Sequence, residues 1–282
     1  MEKQLLLNRS YTCQCNEARS LLNSFGNNEN IETLEKLRIA LNKIRAMYKI
    51  LKYSGNPEID VRPKKFMLNL YHRAGEMKDI YHKSHMIKEL DTQNPNTCVW
   101  YERTLESLKY LFRKNIEKYK EQMTEQEDMH KRIFYRVNNT EMEIYLSSIN
   151  ERIKQNLTCN CEDESLHKVR RILKELLFNV LLLEEEQKKL IHVDLKVVDN
   201  IQEIIGQWHD KSIFLEDLEN EEECRLMGIT DVSYRNQLIS STSSLKKTLR
   251  KEIDNRIPIL FPIQKSEKLG KLEILQYLEP EY

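Results

Sequence analysis

Two rows of cations carry the first chemical signal in this chain. Arg38, Arg45, Lys49 and Lys52 recur at helical spacing, and at about 100° per residue the last three fall within roughly 40° of Arg38. His167, Arg170 and Lys174 make a second row at steps of 3 and 4. Side chains of this kind hold anions: arginine offers a planar fork for two parallel hydrogen bonds, and lysine a compact point charge. A cationic edge also has an ordinary explanation, since long Lys and Arg side chains border many buried faces with their stems packed and their heads in water. Two helices with the same arrangement ask for more.

The helices that would position these rows are legible. In LEKLRIALNKIRAMYKIL, residues 34–51, Leu34, Leu37, Leu41, Ile44, Tyr48 and Leu51 form one apolar stripe at steps of 3, 4, 3, 4 and 3. LHKVRRILKELLFNVLLL, residues 166–183, repeats those steps with Leu166, Val169, Leu173, Leu176, Val180 and Leu183. A second signature follows each stripe. Gly75 and Asp79 come after Arg38, and Gly206 and Asp210 after Arg170; the offset between halves is 132 at the arginines and 131 at the glycine–aspartate pairs. Duplication explains this register better than chance. A mid-helix glycine costs about 1 kcal/mol against alanine, so the pair predicts close approach between the first and second helix of each half. Asp79 and Asp210 would then neutralise and orient the neighbouring arginines, and Tyr71 and Trp208 read as core packing.

Composition sets the frame. The 282 residues are 40% hydrophobic and 32% charged with only 6 Gly and 6 Pro, and there is no Val/Thr-rich alternation, so the class is all-α. Equal numbers of basic and acidic side chains, 45 each, argue against whole-surface attraction to nucleic acid or an anionic membrane, so an anion site must be local. No stretch approaches the ~18 consecutive apolar residues of a membrane span, and MEKQLLLNRSYT is too short in its apolar run for a secretory signal. A cytoplasmic location is expected. Cys13/Cys15 and Cys159/Cys161 form two C-x-C pairs; four thiolates can close a zinc site, but the spacing is not that of a C-x-x-C knuckle, and reduced thiols are expected. His82 and His85 share a helix face without a third ligand nearby. No carboxylate pair, nucleophile–base arrangement or H-E-x-x-H cluster points to catalysis, so neither enzyme activity nor a cofactor is expected.

In chain order, the reading predicts a brief helix from Glu17 to Phe25, the first cationic helix ended by Ser54-Gly55-Asn56-Pro57, and a helix from Pro63 to about Leu90. A third helix starting at VWYERTLESLKYLFRKNIEKY runs on toward Met123, followed by Glu125 to Val137 and Thr140 to Leu157. The second cationic helix starts near Ser165 and ends in the solvated run Glu184-Glu185-Glu186. Helices from Asp194 to about Glu222 and from Val232 to Ile253 complete the set, with Pro258 and Pro262 excluding continuous helix beyond.

The pattern His-x-x-Arg with further cations on the next turns, then a helix carrying Gly and Arg-Asp-like signatures, all repeated once, resembles the conserved-histidine α-helical domain (CHAD) family. The resemblance covers about residues 15–255. It implies a single domain of two four-helix bundles related by a pseudo-twofold axis, with a first half of about 15–138, a second of about 139–256 and a tail at 257–282. It also implies a basic groove between the halves that binds inorganic polyphosphate without catalysis, and association with polyphosphate granules. Carried over by position, the implied ligands are Arg38, Lys43, Arg45 and Lys49 on the first cationic helix, Lys78 after it, and His167, Arg170, Arg171 and Lys174 on the second. The chain departs from the family pattern at Glu35 in the histidine position, Asn42 at the next-turn cation and Leu177 where a further arginine would stand; His209 precedes Asp210 where the family has arginine. Glu35, three residues from Arg38, is expected to pair with it.

Two expectations follow. In the first, the cations follow a polyphosphate chain and release its counterions, as on a nucleic-acid backbone. In the second, the chain is a degenerate helical scaffold that docks a protein partner, with 258–282, PILFPIQKSEKLGKLEILQYLEPEY, as a candidate docking segment.

Overall fold

The computed structural model describes residues 2–52, 65–90, 99–130, 139–158, 163–182, 188 and 193–260. The Cys159/Cys161 pair, Leu183, the Glu184-Glu185-Glu186 run, the side chain of Lys52 and the tail beyond residue 260 lie outside them. Among the described residues there are ten helices and no strands, so the class is all-α. They are α1 (Glu2–Asn28), α2 (Ile31–Lys52), α3 (Lys65–Leu90), α4 (Val99–Arg113), α5 (Ile116–His130), α6 (Asn139–Thr158), α7 (Asp163–Val180), α8 (Leu195–Glu219), α9 (Glu221–Leu226) and α10 (Val232–Leu260). No helix is long and apolar enough to cross a membrane among the described residues.

The two cationic helices, α2 and α7, lie against each other at the centre. Helices α1 and α3 pack on α2, and α6 and α8 pack on α7. The stripes explain this arrangement. Leu34, Leu37, Leu41, Ile44, Tyr48 and Leu51 are all buried, as are Leu166, Val169, Leu173, Leu176 and Val180, and they belong to one continuous apolar core that spans both halves. A smaller core gathers Tyr101 of α4 with Phe214, Leu218 and Leu238 of α8 and α10. Polar side chains set the helix starts. Asn30 accepts from the Glu32 backbone N–H at the start of α2, and Asp194 and Asp231 do the same for α8 and α10. Asn220 closes α8 and caps α9, whose far end turns at Gly228 with φ 74°.

Several boundaries differ from the sequence reading. Helix α1 is continuous from Glu2 rather than brief, because Leu7, Tyr11, Cys15, Ala18, Leu22 and Phe25 line up along one buried stripe. The expected third helix is broken at Lys114-Asn115, where the Asn115 amide donates to the Leu111 carbonyl 2.8 Å away and Ile116 starts a new buried face. Helix α10 continues through Pro258. Proline there forfeits one hydrogen bond and crowds the preceding turn, but it sits in the last described turn with Ile253 and Leu260 fully buried around it.

A buried carboxylate fastens α2 to α7. Glu175, 4% exposed at its side chain, accepts from Lys49 Nζ of α2 at 2.6 Å, from Arg152 Nη1 of α6 at 3.1 Å and from the Tyr145 hydroxyl at 3.2 Å. Beside it the Asn179 amide donates to the Ala46 carbonyl across the same junction at 3.1 Å and to Tyr145 Oη. A second tie joins the halves at the far ends of α3 and α8, where Lys83 meets Asp217 at 2.7 Å. Both cationic partners of Glu175, Lys49 and Arg152, keep solvent access, so removing the carboxylate leaves no stranded charge and the cost is mainly that of lost charge-assisted hydrogen bonds. Glu175→Ala is expected to lower the free energy of unfolding by about 2–3 kcal/mol, and Lys49→Met by less than about 1 kcal/mol, as measured by urea denaturation.

Candidate functional site

The site grows from the two glycines. A Cβ placed on Gly75 of α3 would stand 3.2 Å from Cζ and Nη2 of Arg38, and one on Gly206 of α8 would stand 2.8 Å from Nη2 and 3.0 Å from Nε of Arg170. The approach predicted from the sequence is therefore real, but what presses into each gap is a guanidinium rather than a bare helix backbone. Each arginine lies flat where a side chain would have been. Arg170 also donates from Nε to the Gln202 carbonyl at 3.3 Å, and Arg38 donates from Nη2 to the Tyr71 hydroxyl at 3.3 Å.

The positions that the sequence reading set in register make different contacts. Glu35 of α2 meets Lys78 of α3 at 3.7 Å, whereas the rings of His167 of α7 and His209 of α8 lie tilted against each other with centroids 4.6 Å apart. The first contact is an ion pair and the second a ring pair. Glu35 therefore does not neutralise Arg38 as expected from its position; its bonds go across to α3, to Lys78 and to His82 at 2.8 Å. Interhelical partners outcompete the i,i+3 neighbour here because Arg38 is turned toward Gly75.

Tyr71 packs against the main core, as expected, and has a second set of contacts that the sequence reading did not foresee. It is half-buried, and its ring is faced by Arg38 at 4.7 Å and Arg45 at 4.9 Å from the centroid. Burial alone would raise its phenol, but Arg38, the Asn42 and Arg38 hydrogen bonds and Arg45 together draw it below its ordinary value. The available signal was its spacing: Tyr71 is one turn before Gly75 and shares the face that meets Arg38. Trp208 is core as expected, at 2% exposure.

The fields of both halves meet at Lys174. Its ammonium is pushed down to about 8, first by burial, then by Arg170 on its own helix and by Lys78 and Arg38 across from it, with Tyr71 pulling the other way. Burial and Arg38 likewise lower Arg170, which Asp210 and Tyr71 support. Desolvation raises the Asp79 carboxyl, Arg38 and Lys78 oppose that rise, and Asp210 reinforces it. These aspartates act on the arginines through space; no ion pair joins Asp79 to Arg38 or Asp210 to Arg170 among the described residues. His167 is lowered by burial, then by His209, Arg171 and Arg170, and its Nδ1 is buried without a hydrogen bond among the described residues.

Of the sequence-predicted ligands, Arg170, Lys78 and Arg38 act electrostatically on Lys174, Arg45 lies over the Tyr71 ring, and Arg171 and Arg170 act on His167. Lys49 is taken up by Glu175 and belongs to the α2–α7 tie. Arg171 is exposed near His167, and Lys43 is half-buried without an ion pair among the described residues. Cys13 is exposed and Cys15 buried, its thiol pushed up to about 12 chiefly by desolvation. The ring of His85 stacks on Tyr81. No group of three or more side chains suited to a metal ion occurs among the described residues. No protein-family model and no curated protein sequence matches this chain.

Because the atom facing each glycine is the tip of a flexible side chain, filling the gap displaces the arginine more than it disturbs the helices. Gly206→Ala is expected to change unfolding free energy by no more than about 1 kcal/mol, helix propensity offsetting the displacement, while moving the Arg170 guanidinium. A crystal structure of the variant and its urea denaturation curve check both parts.

Proposed function

We propose that the chain binds a phosphate-rich polyanion, inorganic polyphosphate above all, at the cations carried by α2, α3 and α7. The carrying observation is Lys174: a partly buried ammonium surrounded by Arg170, Lys78 and Arg38, with no ion pair among the described residues. A protein that gathers cations out of water without pairing them sacrifices stability. An anion that supplies the missing negative charge recovers it. The two guanidiniums, held flat against glycines, are preorganised to donate paired hydrogen bonds. The resemblance of the two-part signature to CHAD domains supports the same ligand class. The role is binding without chemistry: the side chains gathered here hold and orient charge. The exposed large apolar side chains among the described residues, which include Ile39, Trp100, Tyr110, Ile144, Leu181, Val232 and Leu245, are spread over α2, α4, α6, α10 and the turn after α7, so the docking alternative has less support there.

Titration of the purified protein with long-chain polyphosphate tests the reading. For about four neutralised phosphates, and a slope of about −0.7 per contact as for single strands, affinity should fall roughly fifty-fold between 50 and 200 mM salt. The double variant Arg38→Glu/Arg170→Glu should abolish binding; parent-like binding by that variant would refute the proposal.

Lys174 adds a pH dependence of defined sign. Its folded value, about 8, lies below the ordinary 10.5, so in the free protein the charged form is destabilising below pH 8 and that cost fades as pH rises through the interval. Binding needs the charged form. Affinity is expected to hold steady up to about pH 8 and then to fall about tenfold toward pH 10, one charge-assisted hydrogen bond being lost. Lys174→Arg should keep the affinity flat over that range, as read by calorimetry.

A further inference from the structure

Arg38 and Arg45 stand nearly two turns apart on α2, a rise of about 10.5 Å, yet one side chain of α3 takes both. The Tyr71 ring has the Arg38 Cζ 4.7 Å and the Arg45 Cζ 4.9 Å from its centroid. Its hydroxyl accepts from Arg38 Nη2 at 3.3 Å and from Asn42 Nδ2 at 3.5 Å, and Asn42 Oδ1 in turn accepts from Arg45 Nη1 at 3.3 Å. The four side chains close a loop of contacts: Arg38 to Tyr71, Tyr71 to Asn42, Asn42 to Arg45, and Arg45 back to the ring. Neither arginine forms an ion pair among the described residues. Asn42, which from the sequence reads as a missing cation, is a member of this loop.

Ordering a flexible arginine costs rotamer freedom, and a ligand that must do the ordering loses that much affinity. A carboxylate would order the arginine and also cancel its charge, as Glu175 does to Lys49 on the same helix at 2.6 Å. A phenol avoids the second effect. The face of its ring attracts a guanidinium without neutralising it, and its oxygen accepts a hydrogen bond while carrying no full charge. Gly75 leaves the room on α3 into which Arg38 then fits. For Arg170 the matching acceptor is a backbone group, the Gln202 carbonyl at 3.3 Å, and Gln202 precedes Gly206 by four residues as Tyr71 precedes Gly75. No side-chain change at Tyr71 removes that bond, so Arg170 serves as an internal control.

We infer that Tyr71 is a positioning residue of the anion site: its ring and hydroxyl, braced by Asn42, hold Arg38 and Arg45 ordered and unneutralised on α2, so that a polyanion meets both guanidiniums already in place. This rests on the polyanion reading above. Tyr71 acts through the two arginines, and it takes no positive charge from the site.

Two measurements on the full chain test this. One is calorimetry with long-chain polyphosphate at neutral pH and low salt; the other is NMR relaxation of the arginine Nε–H groups in the free protein, assigned with Arg38→Lys, Arg45→Lys and Arg170→Lys. Tyr71→Phe keeps the ring and drops the hydroxyl, and Tyr71→Leu drops both. For Tyr71→Phe the expected result is binding about threefold weaker, with Arg38 mobile and Arg45 still held. For Tyr71→Leu it is binding about tenfold weaker or more, with both mobile. Arg170 should keep its order in each variant. Parent-like affinity, or Arg38 and Arg45 as ordered as in the parent, would overturn the inference and leave the polyanion site standing without a brace. Loss of order at Arg170 as well would overturn it too, since that marks a general loosening of the fold. Where Tyr71→Leu does not fold, Tyr71→Phe decides alone by the same criteria. If the parent bound no polyphosphate, the site would fall, and this role with it.

Discussion

Seating a guanidinium between two packed helices is possible only where the facing residue lacks a Cβ. That constraint holds twice, at Arg38 against Gly75 and at Arg170 against Gly206, with would-be Cβ atoms as close as 3.2 and 2.8 Å. Much else follows from it. Because the arginines turn inward toward α3 and α8, they leave Glu35 to find partners on α3 and place Tyr71 under Arg38. With α2 and α7 held together by the stripes of the common core and by Glu175, both arginines and Lys174 share one field.

The architecture treats its charges in two ways. At Glu175 a buried carboxylate is fully engaged, with Lys49, Arg152 and Tyr145 around it. The residue just before it, Lys174, is given cations for neighbours. The first arrangement stabilises the fold; the second opposes it, because desolvation and like charge both disfavour the ammonium. A fold that pairs one set of charges so completely and leaves the adjacent set unpaired has the character of a receptor for negative charge, which is the basis of the proposed polyanion site.

Much of this was legible in the residues. The stripes of 34–51 and 166–183 gave the two central helices, and the recurring Gly–Asp spacing pointed to where the arginines would be met. Helix α1 was underestimated because Tyr11, Cys15 and Ala18 carry its buried stripe, and such small or polar-edged residues weaken a pattern built on large aliphatics. Pairwise choices were harder. Whether Glu35 bonds along its helix or across to Lys78 and His82, and whether Lys49 faces ligand or Glu175, depends on which helix is the neighbour and at what rotation, information absent from the spacing of a single helix. Tyr71 illustrates the same limit, since an aromatic residue near a glycine reads only as core until the guanidiniums that face its ring are placed.

The central claim is that Lys174 sits, charged and partnerless, in a field made for an anion. Its most direct measurement is an NMR titration of the Lys174 side-chain ammonium, assigned with Lys174→Arg, in the free protein and in protein saturated with tripolyphosphate. The account predicts a titration near 8 in the free protein and a clear upward move when the anion is bound. A titration near the ordinary 10.5 that the anion leaves unchanged would contradict it.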